Sequence, residues 1–221
     1  MEAYARVWEK FRQERRLEFG GHTDPNWHNG HALSASFMVP VDAPEVRTRL
    51  EPLRDALRPF PFVSLHPNRF LHVTLLLLGF VVPEPGSEGE ISRGRLRGLE
   101  SEAREALREF PAFPVELANL NAFPGAVFVE AHDGGMLRRL RDAICKGCGI
   151  SSPSGPPHLT VGYVHASDGS PAPEEFVAAV ERYRDWPVGE ILVEGVELTL
   201  LNLGAAEYPE PETLAKIKLE G

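Results

Sequence analysis

Apolar positions along the chain switch between a helical and a strand period, and the switches divide it into elements. Tyr4, Val7, Trp8 and Phe11 recur at helical spacing and predict an amphipathic helix packed on the body. Residues 32–41 read as a strand, and Val46, Leu50, Leu53 and Leu57 mark one face of a helix that Pro52 is expected to kink or shorten. Apolar runs over 62–65 and 70–78 predict strands, and the polar stretch 83–90 reads as a linker closing a first unit. Leu96, Leu99, Ala103, Leu107 and Phe110 form the stripe of a long helix. A second unit opens with a hairpin, 114–122 and 126–131, that turns at Phe123-Pro124-Gly125. Next come a helix around 137–145, a Pro/Gly/Ser stretch over 151–157, and a strand starting at His158. A helix over 173–184 and a strand region over 190–203 complete the body. Each half holds strands and helices, so the expected class is α+β. The expected form is bilobal and pseudo-two-fold, with antiparallel sheets flanked by helices and facing one another across a central cleft. Residues 1–31, a helix and a His/Gly-rich loop, stand apart from a two-lobed domain of residues 32–221.

The two halves share a four-residue pattern. His72-Val73-Thr74-Leu75 lies within FLHVTLLLLG, and His158-Leu159-Thr160-Val161, 86 residues later, within PPHLTVGYV. Strand alternation puts His72 and Thr74 on one face, about 7 Å apart along the strand, and Val73 and Leu75 on the other. His158 and Thr160 repeat the arrangement. An internal duplication that brings two His/Thr pairs to one cleft accounts for both copies. Among nearby aromatics, Phe70 shares the His72 face and Phe123 sits at the hairpin turn, so both are candidates to stack on a base. Tyr163 has the opposite parity to His158, so it belongs to the core or reaches the site only from a twisted strand.

Composition narrows the partners. At 221 residues, 43% hydrophobic and 25% charged, the chain can bury a proper core. A net charge of −9 argues against an extended, non-specific grip on nucleic acid, which needs many Lys and Arg contacts to phosphates. A short RNA end or small nucleotide needs only a local positive site; Arg93, Arg95 and Arg97, or Arg138, Arg139 and Arg141, offer one unless they are solvated helix faces. The charged N-terminus has no apolar core of a secretory signal, and the longest apolar run is far too short for a membrane span, so a cytoplasmic setting is expected. Cys145 and Cys148 fall late in a helix, where the dipole does not activate a thiol, and no second Cys pair completes a zinc site. His22, His28 and His31 lie close enough to chelate a metal, but their turn-rich stretch reads as a surface loop, with covering a cleft as a further option.

The motifs resemble the 2H phosphoesterase superfamily, which includes LigT-like RNA 2′,3′-cyclic phosphodiesterases and proteins labelled 2′-5′ RNA ligases. His72-Val73-Thr74 with its leucine run and Gly79 looks like the first motif of that family, and Pro157-His158-Leu159-Thr160-Val161 like the second. The resemblance spans about residues 32–203, with FPGAVFVEAH in the place of the family hairpin. One departure is that many LigT-like members carry a basic residue soon after the second motif, where this chain has Gly162-Tyr163-Val164. The resemblance implies a phosphodiesterase that opens a 2′,3′-cyclic phosphate; two His and two Thr can supply that chemistry without metal or cofactor, and a monomer is expected. His72 and His158 would be catalytic, and Thr74 and Thr160 would donate to the phosphoryl oxygens. Such cleavage requires a base for water, an acid for the departing oxygen, and donors for the developing charge. His158 is assigned as base and His72 as acid, although either order satisfies the chemistry. Ligation, the reverse reaction forming a 2′-5′ linkage, and nucleotide binding without turnover are the alternatives. A cyclic nucleotide or an ADP-ribose cyclic phosphate would suit the same mechanism.

Overall fold

The computed structural model describes residues 2–204 and 208–221. Helix α1 (Glu2–Glu14) buries Tyr4 and Phe11, and leads through strand β1 (Arg16–Leu17) to a one-turn helix α2 (Pro25–His28). The first unit runs β2 (Leu33–Pro40), α3 (Pro44–Leu57), β3 (Val63–Leu65), a 3-10 turn at Asn68–Phe70, β4 (His72–Val81) and β5 (Glu90–Ile91). Helix α4 (Arg93–Leu107) connects it to the second unit: β6 (Phe113–Phe123), β7 (Ala126–His132), α5 (Met136–Cys148) and β8 (His158–Val164). Then follow β9 (Ser170–Pro171), α6 (Glu174–Glu181), β10 (Pro187–Val193), β11 (Gly195–Asn202) and β12 (Glu212–Lys218).

The two lobes are halves of one sheet. Its strand order is β10-β6-β7-β8-β4-β2-β11-β12, with β3 beside β8 and β5 beside β4. Four strands on each side of the β8–β4 join make the lobes, and the two motif strands are the innermost of each. β4 and β8 meet antiparallel through the register pair Val73↔Leu159. Val73, Leu75, Leu159 and Val161 are at most 1% exposed, so the back of the join is core. Helices α4 and α5 pack on one another, α5 also against β4, α3 against β10 and β3, and α1 and α6 against β6. The class is α+β, as the pattern predicts. Among the described residues no helix is long and apolar enough to cross a membrane.

Several elements differ from the sequence reading for identifiable reasons. Helix α3 runs through Pro52 to Leu57, because Leu53 and Leu57 are both fully buried and the packed face outweighs one lost backbone bond. The stretch read as a linker folds back. The Glu90 carboxylate accepts from the Gly86 and Ser87 amides, and β5 pairs parallel to the end of β4. The 190–203 region is two strands broken at Glu194, β10 at the outer edge of one lobe and β11 within the other, and β12, absent from the sequence reading, adds an edge strand that buries Ile217 within a mostly exposed segment. The motif strand begins at His72 and not at residue 70, since Phe70 closes the 3-10 turn.

Candidate active site

The single register pair builds the site. With Val73 opposite Leu159 in an antiparallel pair, His72 falls opposite Thr160 and Thr74 opposite His158. All four point to the face away from the buried Val73 and Leu159, with direct neighbours about 5 Å apart at Cβ and the diagonal histidines about 7–8 Å apart. His72, His158 and Thr160 are half-buried and Thr74 is exposed, so all four line a groove open to solvent.

Both histidines are held in the same tautomer. His72 Nδ1 lies 2.8 Å from the Phe70 carbonyl oxygen and His158 Nδ1 3.0 Å from that of Pro156, in each case two residues upstream. A carbonyl can only accept, so Nδ1 carries the proton and Nε2 presents a lone pair to the groove. Burial pushes the His72 pKa down to about 4, opposed by the Phe70 carbonyl and reinforced by charge on His158 and His22. Burial also lowers His158, with the Pro156 carbonyl opposing and Arg141 adding to the depression. Left to these surroundings, both imidazoles are neutral at pH 7.

Aromatic rings set the surroundings. His158 lies against Phe128 and Phe123, with ring centroids 4.7 and 5.1 Å away. Phe70, 1% exposed, forms a floor 5.3 Å from the His72 ring. Next to His72 and Thr74 opens a cavity of about 360 Å³, also lined by Ser34, Ser36, Tyr163 and Trp27. Tyr163 faces this cavity, contrary to its sequence parity. The β7–β8 register slips at Val161, from Phe128↔Thr160 to Val127↔Gly162, and the extra residue turns Tyr163 to the histidine side.

The His-rich loop covers one side of this cavity. His22 is 4% exposed, packed between Phe70, Tyr163 and Tyr208. The three histidines diverge, since His28 Nδ1 accepts from the Gly30 amide and His31 Nε2 meets Glu90 at 2.9 Å. The chain reaches His22 through close backbone contact: a Cβ on Gly20 would fall 2.0 Å from the Gly125 oxygen, and one on Gly21, at φ 97°, 2.3 Å from the Tyr163 ring. His66, 2% exposed, completes the buried cluster, with its ring 4.5 Å from Tyr163 and 5.0 Å from Phe70.

Of the two arginine groups, Arg138 and Arg139 are exposed, as are Arg93, Arg95 and Arg97, with Arg95 occupied by Glu102 and the Cys148 carbonyl. Arg141 is not a solvated residue. It is 5% exposed, and its Nη2 donates to the Gly155 carbonyl in the loop before His158. Arg54, 6% exposed, does the same in the other lobe by donating to the His66 carbonyl and to Asn68 in the loop before His72. These arginines precede their histidines by 17 and 18 residues, and that repeated spacing was the available sequence signal for both. Arg141→Met is expected to cost about 1.5–3 kcal/mol of stability, the range for a hydrogen bond to a charged group. It should also raise the titration midpoint of His158, measurable by NMR; an unmoved midpoint would remove Arg141 from the site. Cys145 and Cys148 are buried and free, and burial raises both thiols, Cys148 to about 11.

The model of the 2′-5′ RNA ligase superfamily matches residues 40–204, which include both His/Thr strands. The chain belongs to that superfamily. TT0787 of Thermus thermophilus shares the fold with a TM-score of 0.63 at 22% identity, over 85% of this chain and 98% of its own. LigT of E. coli does so at 0.61 and 18% in complex with 3′-AMP, over 86% and 99%. With NADP+ bound, LigT matches at 0.60 and 19%, over 86% and 98%. No curated protein matches the chain in sequence. The superfamily match starts after the N-terminal segment that delivers His22.

Proposed function

We propose that this member of the superfamily hydrolyses 2′,3′-cyclic phosphate ends of short RNA or small nucleotides. The observation that carries the reading is the pair of crossed His/Thr strands, in which each histidine is anchored at Nδ1 and open at Nε2. One Nε2 takes a proton from water as the oxygen attacks phosphorus. The other imidazole, protonated, donates to the 2′ or 3′ oxygen as its bond to phosphorus breaks. The Thr74 and Thr160 hydroxyls donate to the non-bridging oxygens, where charge develops, without adding a charge that would perturb the histidines.

Since both imidazoles are neutral by themselves, the phosphoryl anion must supply the charge that protonates one of them. Burial lowers both imidazoles, so either can serve as the base, and the order assigned from sequence is kept, with His158 as base and His72 as acid. The same groups serve the 2′-5′ ligation direction when an RNA hydroxyl replaces water. LigT crystallised with 3′-AMP is consistent with a nucleotide in such a groove.

The test is hydrolysis of the four nucleoside 2′,3′-cyclic monophosphates in the presence of EDTA. Turnover is expected, with a bell-shaped pH profile, and product analysis gives the bond cleaved. Absence of turnover, or turnover abolished by EDTA, would overturn the mechanism.

A further inference from the structure

The two motif faces, equivalent by the pseudo-two-fold, are treated differently. On the second lobe the register Asn121↔Phe128 and Phe128↔Thr160 puts Asn121 and Phe128 on the motif face. Helix α1 covers that face. The Tyr4 ring packs on Phe128, and the Tyr4 carbonyl accepts from the Asn121 amide at 3.0 Å. The Tyr4 hydroxyl accepts from the Ala131 amide and lies 2.5 Å from the Pro157 carbonyl oxygen, next to His158. On the first lobe the equivalent face is open and forms the 360 Å³ cavity beside His72 and Thr74. That volume is in the range of small-ligand sites.

The open cavity has walls of two origins. Ser34, Ser36, Met38 and Leu77 come from the shared sheet. Phe19, His22, Asp24 and Trp27 come from the N-terminal segment ahead of β2. Trp27 is half-buried, with its indole edge-on to Phe80 at 5.1 Å. Asp24 caps α2, its Oδ1 accepting from the Asn26 amide, and also lines the cavity. An indole offers a stacking surface to any base, and a carboxylate accepts only from N–H or O–H donors.

We propose that this cavity holds the nucleobase of the substrate, stacked on Trp27, with Asp24 accepting from an exocyclic amine, so that adenine, cytosine and guanine are preferred over uracil. The placement rests on the phosphodiesterase reading, which puts the cyclic phosphate at His72 and Thr74. The N-terminal segment then decides which nucleotides this chain accepts.

Calorimetric titration of the full-length protein with 3′-AMP and 3′-UMP tests this without turnover. The wild type should bind 3′-AMP about tenfold more tightly than 3′-UMP, the worth of one charge-assisted hydrogen bond. Trp27→Ala should weaken both about tenfold or more, and Trp27→Phe should retain most of the affinity. Asp24→Asn keeps the helix cap, because Asn caps as well as Asp, and should bring the two nucleotides to similar affinity. Trp8→Phe, remote from the cavity on α1, controls for general effects of changing a tryptophan. Equal binding of the two nucleotides by the wild type, no binding of either, or unchanged affinity in Trp27→Ala would each overturn the proposal. Because binding is read directly, an enzyme that hydrolyses cyclic phosphates yet shows no base preference refutes this inference alone. A protein that binds 3′-AMP through Trp27 but turns nothing over refutes the phosphodiesterase reading instead.

Discussion

His72→Ala and His158→Ala are each expected to lose on the order of a hundred- to ten-thousand-fold in kcat on a nucleoside 2′,3′-cyclic phosphate, the usual worth of a positioned acid or base. The double variant should be little worse than either single one, since the two imidazoles act in one proton-transfer cycle. Both variants should fold, because each histidine is only half-buried and its main polar contact is with a local carbonyl. The roles separate with a p-nitrophenyl phosphodiester, whose leaving group departs without a proton. The variant lacking the acid should recover much of its activity on that compound, and the variant lacking the base should not. Recovery is expected for His72→Ala. Recovery of His158→Ala alone would reverse the order assigned from sequence, and full activity in either variant on the cyclic phosphate would end the two-histidine mechanism.

Stability should fall steeply with acidification between about pH 6.5 and pH 4. Burial holds His66 well below the usual histidine range, helped by charge on His72, His22 and Arg54; it holds His72 at about 4 and also lowers His158. In the unfolded chain each titrates near 6.5, so between the two values the unfolded state binds more protons and stability declines as pH drops. For His72 alone the full shift corresponds to about 3 kcal/mol, reached only below its folded pKa. His31 works the other way. Its pKa is raised by Glu90, so it contributes stability that is present at low pH and lost as pH rises through its folded value. Its edge position makes that offset small next to three depressed groups. Thermal unfolding from pH 7.5 to pH 4.5 should therefore show a falling Tm, and His66→Phe, which places a ring of similar size among Phe70, Tyr163 and Tyr208, should flatten the slope. A pH-independent Tm in the wild type would contradict the buried, neutral state of His66.

What could be read from the chain was whatever alternation and duplication dictate. The common face of each His/Thr pair follows from a two-residue period, and the two-lobed α+β class from finding the same unit twice. What could not be read depends on contacts between distant residues. The crossing at Val73 and Leu159 is a choice of register between strands 86 positions apart, and nothing local specifies it. Parity alone left Tyr163 between the core and the site, because the one extra residue at Val161 that reverses the parity is not announced locally; Gly162 is the local trace of that bulge, since a Cβ there would lie 3.0 Å from the Ser64 oxygen on β3. The stretch around His22 looked like a loop because its turn residues were legible and its burial partners, Phe70, Tyr163 and Tyr208, were not.

The N-terminal segment also imposes an order on folding. Its docking contacts are Ala131 and Pro157 for Tyr4, Val164 for the Gly20 amide, and Ser170–Pro171 for β1. A ribosome makes this segment well before those partners, none of which exists until most of the chain has emerged. Closing loops of more than a hundred residues is also the slow part of assembly. The sheet with its crossed motif strands can form before the helix and loop settle on it. The newborn protein therefore acquires its two histidines first and the second wall of its cavity last.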